Sequence, residues 1–117
     1  AGKVFLAFLP EQRREAVLDA TEMRALTPNT ITDRQKLYNE LELIRQQRYA
    51  ISRGEWILEA SGVAAPVFDQ AGDILAVLTI SGPTQRFTEE IITRYTSIVT
   101  RVASQISIEI GGRVPFR

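Results

Sequence analysis

The run ILEASGVAAPVFDQAGDILAVLTISGP, residues 57–83, decides the fold. Two stretches rich in apolar and β-branched residues, 57–68 and 74–81, flank the turn-forming residues Asp69-Gln70-Ala71-Gly72. An antiparallel hairpin is predicted. Side chains alternate across a strand, so Leu75, Val77, Thr79 and Ser81 share one face of the second strand. In the first strand Ala60, Gly62 and Ala64 share a face, and all are too small to fill a core. Two hydroxyls beside a floor of small residues make a concave surface that can hydrogen-bond a small polar ligand. The same pattern also suits hydroxyls turned to water and small residues making room for a helix, and the residues alone leave both open. Pro66 cannot donate a ladder hydrogen bond and marks an edge or a bulge. The second strand is apolar on both faces, which predicts cover on both sides.

Working outward, Gly54 in Arg53-Gly54-Glu55 supplies the freedom of a turn after a short strand over Tyr49–Ser52. Upstream, Thr32-Asp33-Arg34-Gln35 has the form of a capping box, with Thr32 as N-cap and Gln35 at the third helical position. Leu37, Leu41 and Ile44 then recur at helical spacing, giving an amphipathic helix over 33–48. Gly2–Leu9 is short and apolar and is predicted as a strand ended by Pro10, with a helix beginning there and a loop over 23–29. Downstream, Gly82-Pro83 stops the second hairpin strand. Thr88 caps the longest helix, 88–110, and Gly111-Gly112 ends it. Its stripe Ile91/Tyr95/Ile98/Val102/Ile106 is expected against the sheet, leaving Arg94, Thr100, Arg101, Ser104 and Ser107 on a polar face. That stripe would equally serve a dimer. The order of elements is that of an α+β domain with an antiparallel sheet.

Composition narrows the function. A chain of 117 residues with 44% hydrophobic side chains suits one domain, residues 1–117, with one core. No apolar run approaches the ~20 residues that span a bilayer, and neither end resembles a secretory signal, so a cytoplasmic protein is expected. Fourteen basic and fourteen acidic residues cancel, whereas a nucleic-acid grip needs a basic excess. Arg13/Arg14 and Arg45/Arg48 lie among Glu11, Glu15, Glu40 and Glu42 and read as solvated helix faces. Histidine and cysteine are both absent, which removes thiolate nucleophiles, His-based triads, His/Cys zinc sites and disulfides. Lys3 and Lys36 are the only lysines and have ordinary surface roles to fill. An enzyme could still use a carboxylate, a lysine or a tyrosine, with Glu55 or Asp33 as general base, and no catalytic residue, metal site or cofactor is expected. Ser52-Arg53-Gly54-Glu55-Trp56 offers either a pocket rim or an exposed turn, with Glu55 expected to face solvent.

Four strings then stand in register: AGKVFLAFLP (1–10), LTPNTIT (26–32), RYAISRGEW (48–56) and VAAPVFDQAGDILAVLTISGPTQRFT (63–88). Together they resemble the effector-binding domain of IclR-family transcription regulators, from Ala1 to about Gly112. The resemblance implies a GAF-like fold, an antiparallel sheet flanked by helices, that binds a small organic acid and controls operator binding. It also implies a homodimer or tetramer, and DNA contact only through an N-terminal winged helix-turn-helix domain. That domain and the opening of the sensing domain lie outside the four strings. By position, the pocket would use Ala1, Ser52, Gly62, Thr79 and Ser81, with Arg53 beside them. Ser52 stands where relatives often carry Asp, which makes the site less negative and favours an anion. The alternatives are a GAF-type sensor with another output, and a dimerisation module without ligand.

Overall fold

The computed structural model describes residues 1–111. Four helices, α1 (Gly2–Phe8), α2 (Glu11–Asp19), α3 (Arg34–Gln47) and α4 (Glu89–Glu109), surround three strands, β1 (Ala50–Arg53), β2 (Ala60–Phe68) and β3 (Ile74–Pro83). The strands form one antiparallel sheet in the order β1-β2-β3. Helices α1 and α3 cover one face of the sheet and α4 covers the other, each over its own apolar cluster. No described helix is long and apolar enough to cross a membrane.

The first segment is a helix, not the predicted strand. Short apolar runs carry too few periods to tell the two apart, and tertiary packing decides. Here Val4 and Ala7, three apart, are both fully buried. They join Leu37, Leu41 and Ile44 of α3 in a single core. Leu9 is extended, as the residue before a proline must be, and Pro10 is the N-cap of α2. A short chain runs from the guanidinium of Arg34 to the Tyr38 hydroxyl and on to the Glu15 carboxylate, tying α3 to α2. That hydroxyl, aided by Arg14 and Arg34, holds the Glu15 carboxyl below its usual range despite partial desolvation.

The cap of α3 sits one residue later than predicted: Asp33, not Thr32, accepts from the Gln35 N–H at 3.0 Å. The helix ends at Arg48, whose φ of 66° is left-handed. Gly54 is also left-handed, at φ 65°, as its turn required.

Burial in the hairpin is the reverse of the expectation. β2 is buried along nearly its whole length, whereas β3 lies at the sheet edge and Leu75 is 54% exposed. Apolar character on both faces does not reveal which strand is central, and only the strand order does. The register shifts between Val67 and Phe68, so that Phe68 pairs with Ile74 and Leu75 turns outward. The bulge lies beyond the site pairings, Gly62 with Ser81 and Ala64 with Thr79, and leaves them in step. Pro66 lies past the last β1 pairing, Ala50 with Ala64, and the next N–H on that edge, Phe68, donates to Ser107 Oγ at 3.0 Å. The open stretch of β2 is thereby closed to further strands.

Thr88 caps α4, accepting from the Ile91 N–H at 3.3 Å. The helix is rotated from the predicted stripe. Ile92, Val99, Ala103 and Ser107 are the buried positions, with Tyr95 and Ile106 beside them, while Ile91, Ile98 and Val102 are half-buried. Apolar residues occupy too much of the helix circumference to fix its rotation. The small Ala103 and Ser107 allow close approach to β2, and the Phe68 N–H rewards it. The expected stop at Gly111-Gly112 is seen in Gly111, at φ 77°, and Gly112 lies outside the described residues.

Candidate effector-binding site

Strand alternation builds the site. On the α1 face of the sheet, Ser52 pairs with Gly62, and Gly62 with Ser81. One step along, Ala50 pairs with Ala64, and Ala64 with Thr79. Small side chains at these adjoining positions leave a hollow between the sheet and the start of α1. Its volume is about 210 Å³, room for a compound of a few carbons. Of the residues singled out from sequence, Ala1, Ser52, Gly62, Thr79 and Ser81 all line this cavity. Gly62 keeps it open: a Cβ there would stand 3.2 Å from the Ile80 carbonyl oxygen and 3.5 Å from Ser81 Cβ.

Arg53 does not line it. As the neighbour of Ser52 it points to the opposite face, where its guanidinium lies 3.2 Å from the Glu89 carboxylate, and both groups are well exposed. Trp56 stands at the mouth, 72% exposed, and is neither packed on the hairpin nor enclosed.

Lys3 is the residue that the sequence concealed. Read as the start of a strand, it had no role. In a helix it sits beside the buried Val4 and reaches the sheet, and it lines the cavity. The ammonium donates to the Ile51 carbonyl at 2.9 Å, to Glu55 Oε2 at 2.9 Å and, at a longer 3.4 Å, to Glu40 Oε1. Glu55 therefore points inward to an ion pair and not to solvent as expected. A helical reading of 2–8 would have exposed the signal, because Lys3 then flanks the buried face.

The loops behind the site are tied to it. Thr27 Oγ1 donates to the Gly54 carbonyl and Thr30 Oγ1 to the Glu55 carbonyl, so residues 26–31 brace the turn that carries Glu55. The two carboxylates considered as general bases are both committed: Asp33 caps α3 and Glu55 holds Lys3. Among the described residues no group of acids could hold a metal ion.

Comparison with known proteins gives this arrangement its place. The family described as the bacterial transcriptional regulator IclR C-terminal domain matches residues 1–108. The chain belongs to the IclR family. Among relatives, the HTH-type transcriptional repressor AllR of Salmonella typhimurium is 32% identical over 115 residues, which is 98% of this chain and 42% of AllR. The IclR chain thus spans less than half the length of the curated regulators it matches. The crystal structure of Thermotoga maritima IclR superimposes with a TM-score of 0.89 at 39% identity, over 94% of this chain and 44% of that one. A double mutant of the PobR inducer-binding domain from Acinetobacter, solved with 3-hydroxybenzoic acid, gives 0.80 at 26% identity, over 95% of this chain and 62% of that one. The expected GAF-like α+β architecture is therefore that of IclR C-terminal domains, and the relatives are transcriptional regulators, not enzymes.

Proposed function

We propose that this domain senses a small organic acid and thereby controls operator binding by a separate N-terminal helix-turn-helix domain. The observation that carries the reading is the cavity itself: Ser52, Thr79 and Ser81 line it together with Lys3, and Gly62, Ala50 and Ala64 leave the room. Hydroxyls orient a carboxylate, and a lysine supplies its charge. Of the bonds Lys3 makes, the 3.4 Å contact to Glu40 is the weakest, and an incoming carboxylate would replace it at least cost. A ligand that draws on Lys3 also reaches Glu55, and through it the braced loop 26–31. Differential binding of this kind shifts a conformational equilibrium, which is what a regulator requires. An inducer-binding relative that holds a hydroxybenzoic acid supports the ligand class. Arg53 enters as a neighbour of the site, not as a ligand contact.

A thermal-shift screen against small organic acids tests the reading, since a ligand that binds the native state raises its melting temperature by mass action. Calorimetry on the best acid should then show Ser81→Ala weakened by ~1.5–3 kcal/mol, tenfold or more, for a lost hydrogen bond to a charged group. Equal affinities, or a preference for cations, would place the site elsewhere.

A further inference from the structure

A second cavity among the described residues is larger than the one above. About 530 Å³ lie between α4, the C-terminal end of α3 and the stretch of β2 that runs past β1. It shares no lining residue with the candidate effector site. Its origin is physical. β1 stops pairing at Ala50, so Ala65, Pro66 and Phe68 have a strand only on the β3 side, and α4 passes over that stretch with Thr and Ser side chains and Arg101.

The chemistry of its lining is one-sided. The floor is apolar, made by Ala65, Pro66, Phe68 and the Tyr49 ring. The opposite wall is a run of hydroxyls on α4 together with Arg101, and Arg48 stands at the α3 end. No carboxylate lines it among the described residues. Thr96 and Thr100 spend their hydroxyl protons on carbonyls of their own helix, and the buried Ser107 on that of Ala103. Ser97 and Ser104 carry no such bond, and Arg101 makes no ion pair among the described residues. Arg48 adds a backbone argument. It is the only described non-glycine residue with positive φ, at a helix end that glycine fills with least strain, and it lines this cavity.

We propose that this cavity is a second binding site, for a small organic carboxylate whose apolar body rests on Pro66, Phe68 and Tyr49. The carboxylate meets the planar guanidinium of Arg101, with Arg48 beside it and Ser97 and Ser104 donating. The site shares no lining residue with the effector cavity and stands or falls independently of the sensing function. Its ligand would bear on α4 directly.

Titration of the isotope-labelled chain, followed through its backbone amide signals, tests this with benzoate as probe and with benzyl alcohol and inorganic phosphate as controls. Benzoate is expected to shift the amides of Ser97, Thr100 and Ser104 and of Arg48 and Tyr49 saturably. Arg101→Met should weaken that binding tenfold or more, whereas Ser81→Ala, in the other cavity, should leave it unchanged. Shifts confined to Gly62, Thr79 and Ser81, or an Arg101→Met chain that binds benzoate as well as the parent, would overturn the proposal. Benzyl alcohol binding as tightly as benzoate would remove the anion from it, and phosphate doing so would remove the apolar body.

Discussion

The two faces of the sheet are built from the same strands and serve opposite ends. On the α4 face, Val63, Ala65 and Val67 alternate into a filled core with Ile92, Val99 and Ala103. On the α1 face, the intervening Gly62 and Ala64, with Ser52, Thr79 and Ser81, leave a hollow. Large apolar side chains in contact stabilise the fold through burial and dispersion. Small and hydroxylic ones forgo that gain and keep a volume in which a ligand can be recognised. One period of two residues therefore separates the β2 side chains packed with Ile92, Val99 and Ala103 from those that line the hollow.

The strongest way to break this comparison is to charge the filled face. Val99→Asp places an uncompensated carboxylate where the native side chain has no exposure. It should cost on the order of 4 kcal/mol or more, enough to unfold a domain of this size. Urea unfolding measures it, and a chain that tolerates Asp there as well as it tolerates Ala at Ser81 would erase the distinction between faces.

The next change fills the hollow. Gly62→Ala sets a methyl 3.2 Å from the Ile80 carbonyl oxygen, so the neighbours must give slightly. A stability loss of about 1 kcal/mol is expected, with affinity for the cognate acid falling tenfold or more. Unchanged affinity would mean that the ligand does not sit on the Gly62 floor. Lys3→Met keeps the packing of α1 and removes the charge: binding of a carboxylate should fall while that of its neutral amide analogue does not. Calorimetry on the acid–amide pair reads the difference, and an equal loss for both would reduce Lys3 to a structural role.

Thr88→Ala loosens the filled face from its end. Loss of the N-cap should cost about 1 kcal/mol and leave the acid affinity untouched. The smallest effect belongs to the helical layer over the hollow. The Tyr38 hydroxyl is the leading reason that the Glu15 carboxyl titrates below its usual range. A carboxyl lowered in the folded state adds stability above its unfolded pKa, and that stability is lost as the pH falls through the folded value. The gap between the parent and Tyr38→Phe should therefore be full at neutral pH and close on acidification. Melting temperatures across that range check it, and a gap that widens toward acid would reverse the assigned cause.

How much of this was legible varied with the kind of signal. The hairpin, its register over Gly62, Thr79 and Ser81, the α3 helix and the Thr88 cap could be read because alternation, helical spacing and capping chemistry are local. Residues 2–8 could not be read, because seven residues of apolar chain fit a strand or a helix, and the error hid Lys3 from the site. Arg53 was placed at the pocket by proximity in sequence, yet neighbours on a strand face opposite ways.

Sequence by itself determined which residues share a face wherever the period could be read, as in the hairpin and α3, since a period is a property of the chain. The tertiary structure alone decided where the small residues leave a hollow, which strand is central and how far α4 is rotated. Those outcomes depend on what lies across each surface: the small Ala103 and Ser107 draw α4 onto β2, and the short β1 leaves the far end of β2 open. Burial is a relation between segments distant in sequence, and no local pattern specifies the partner.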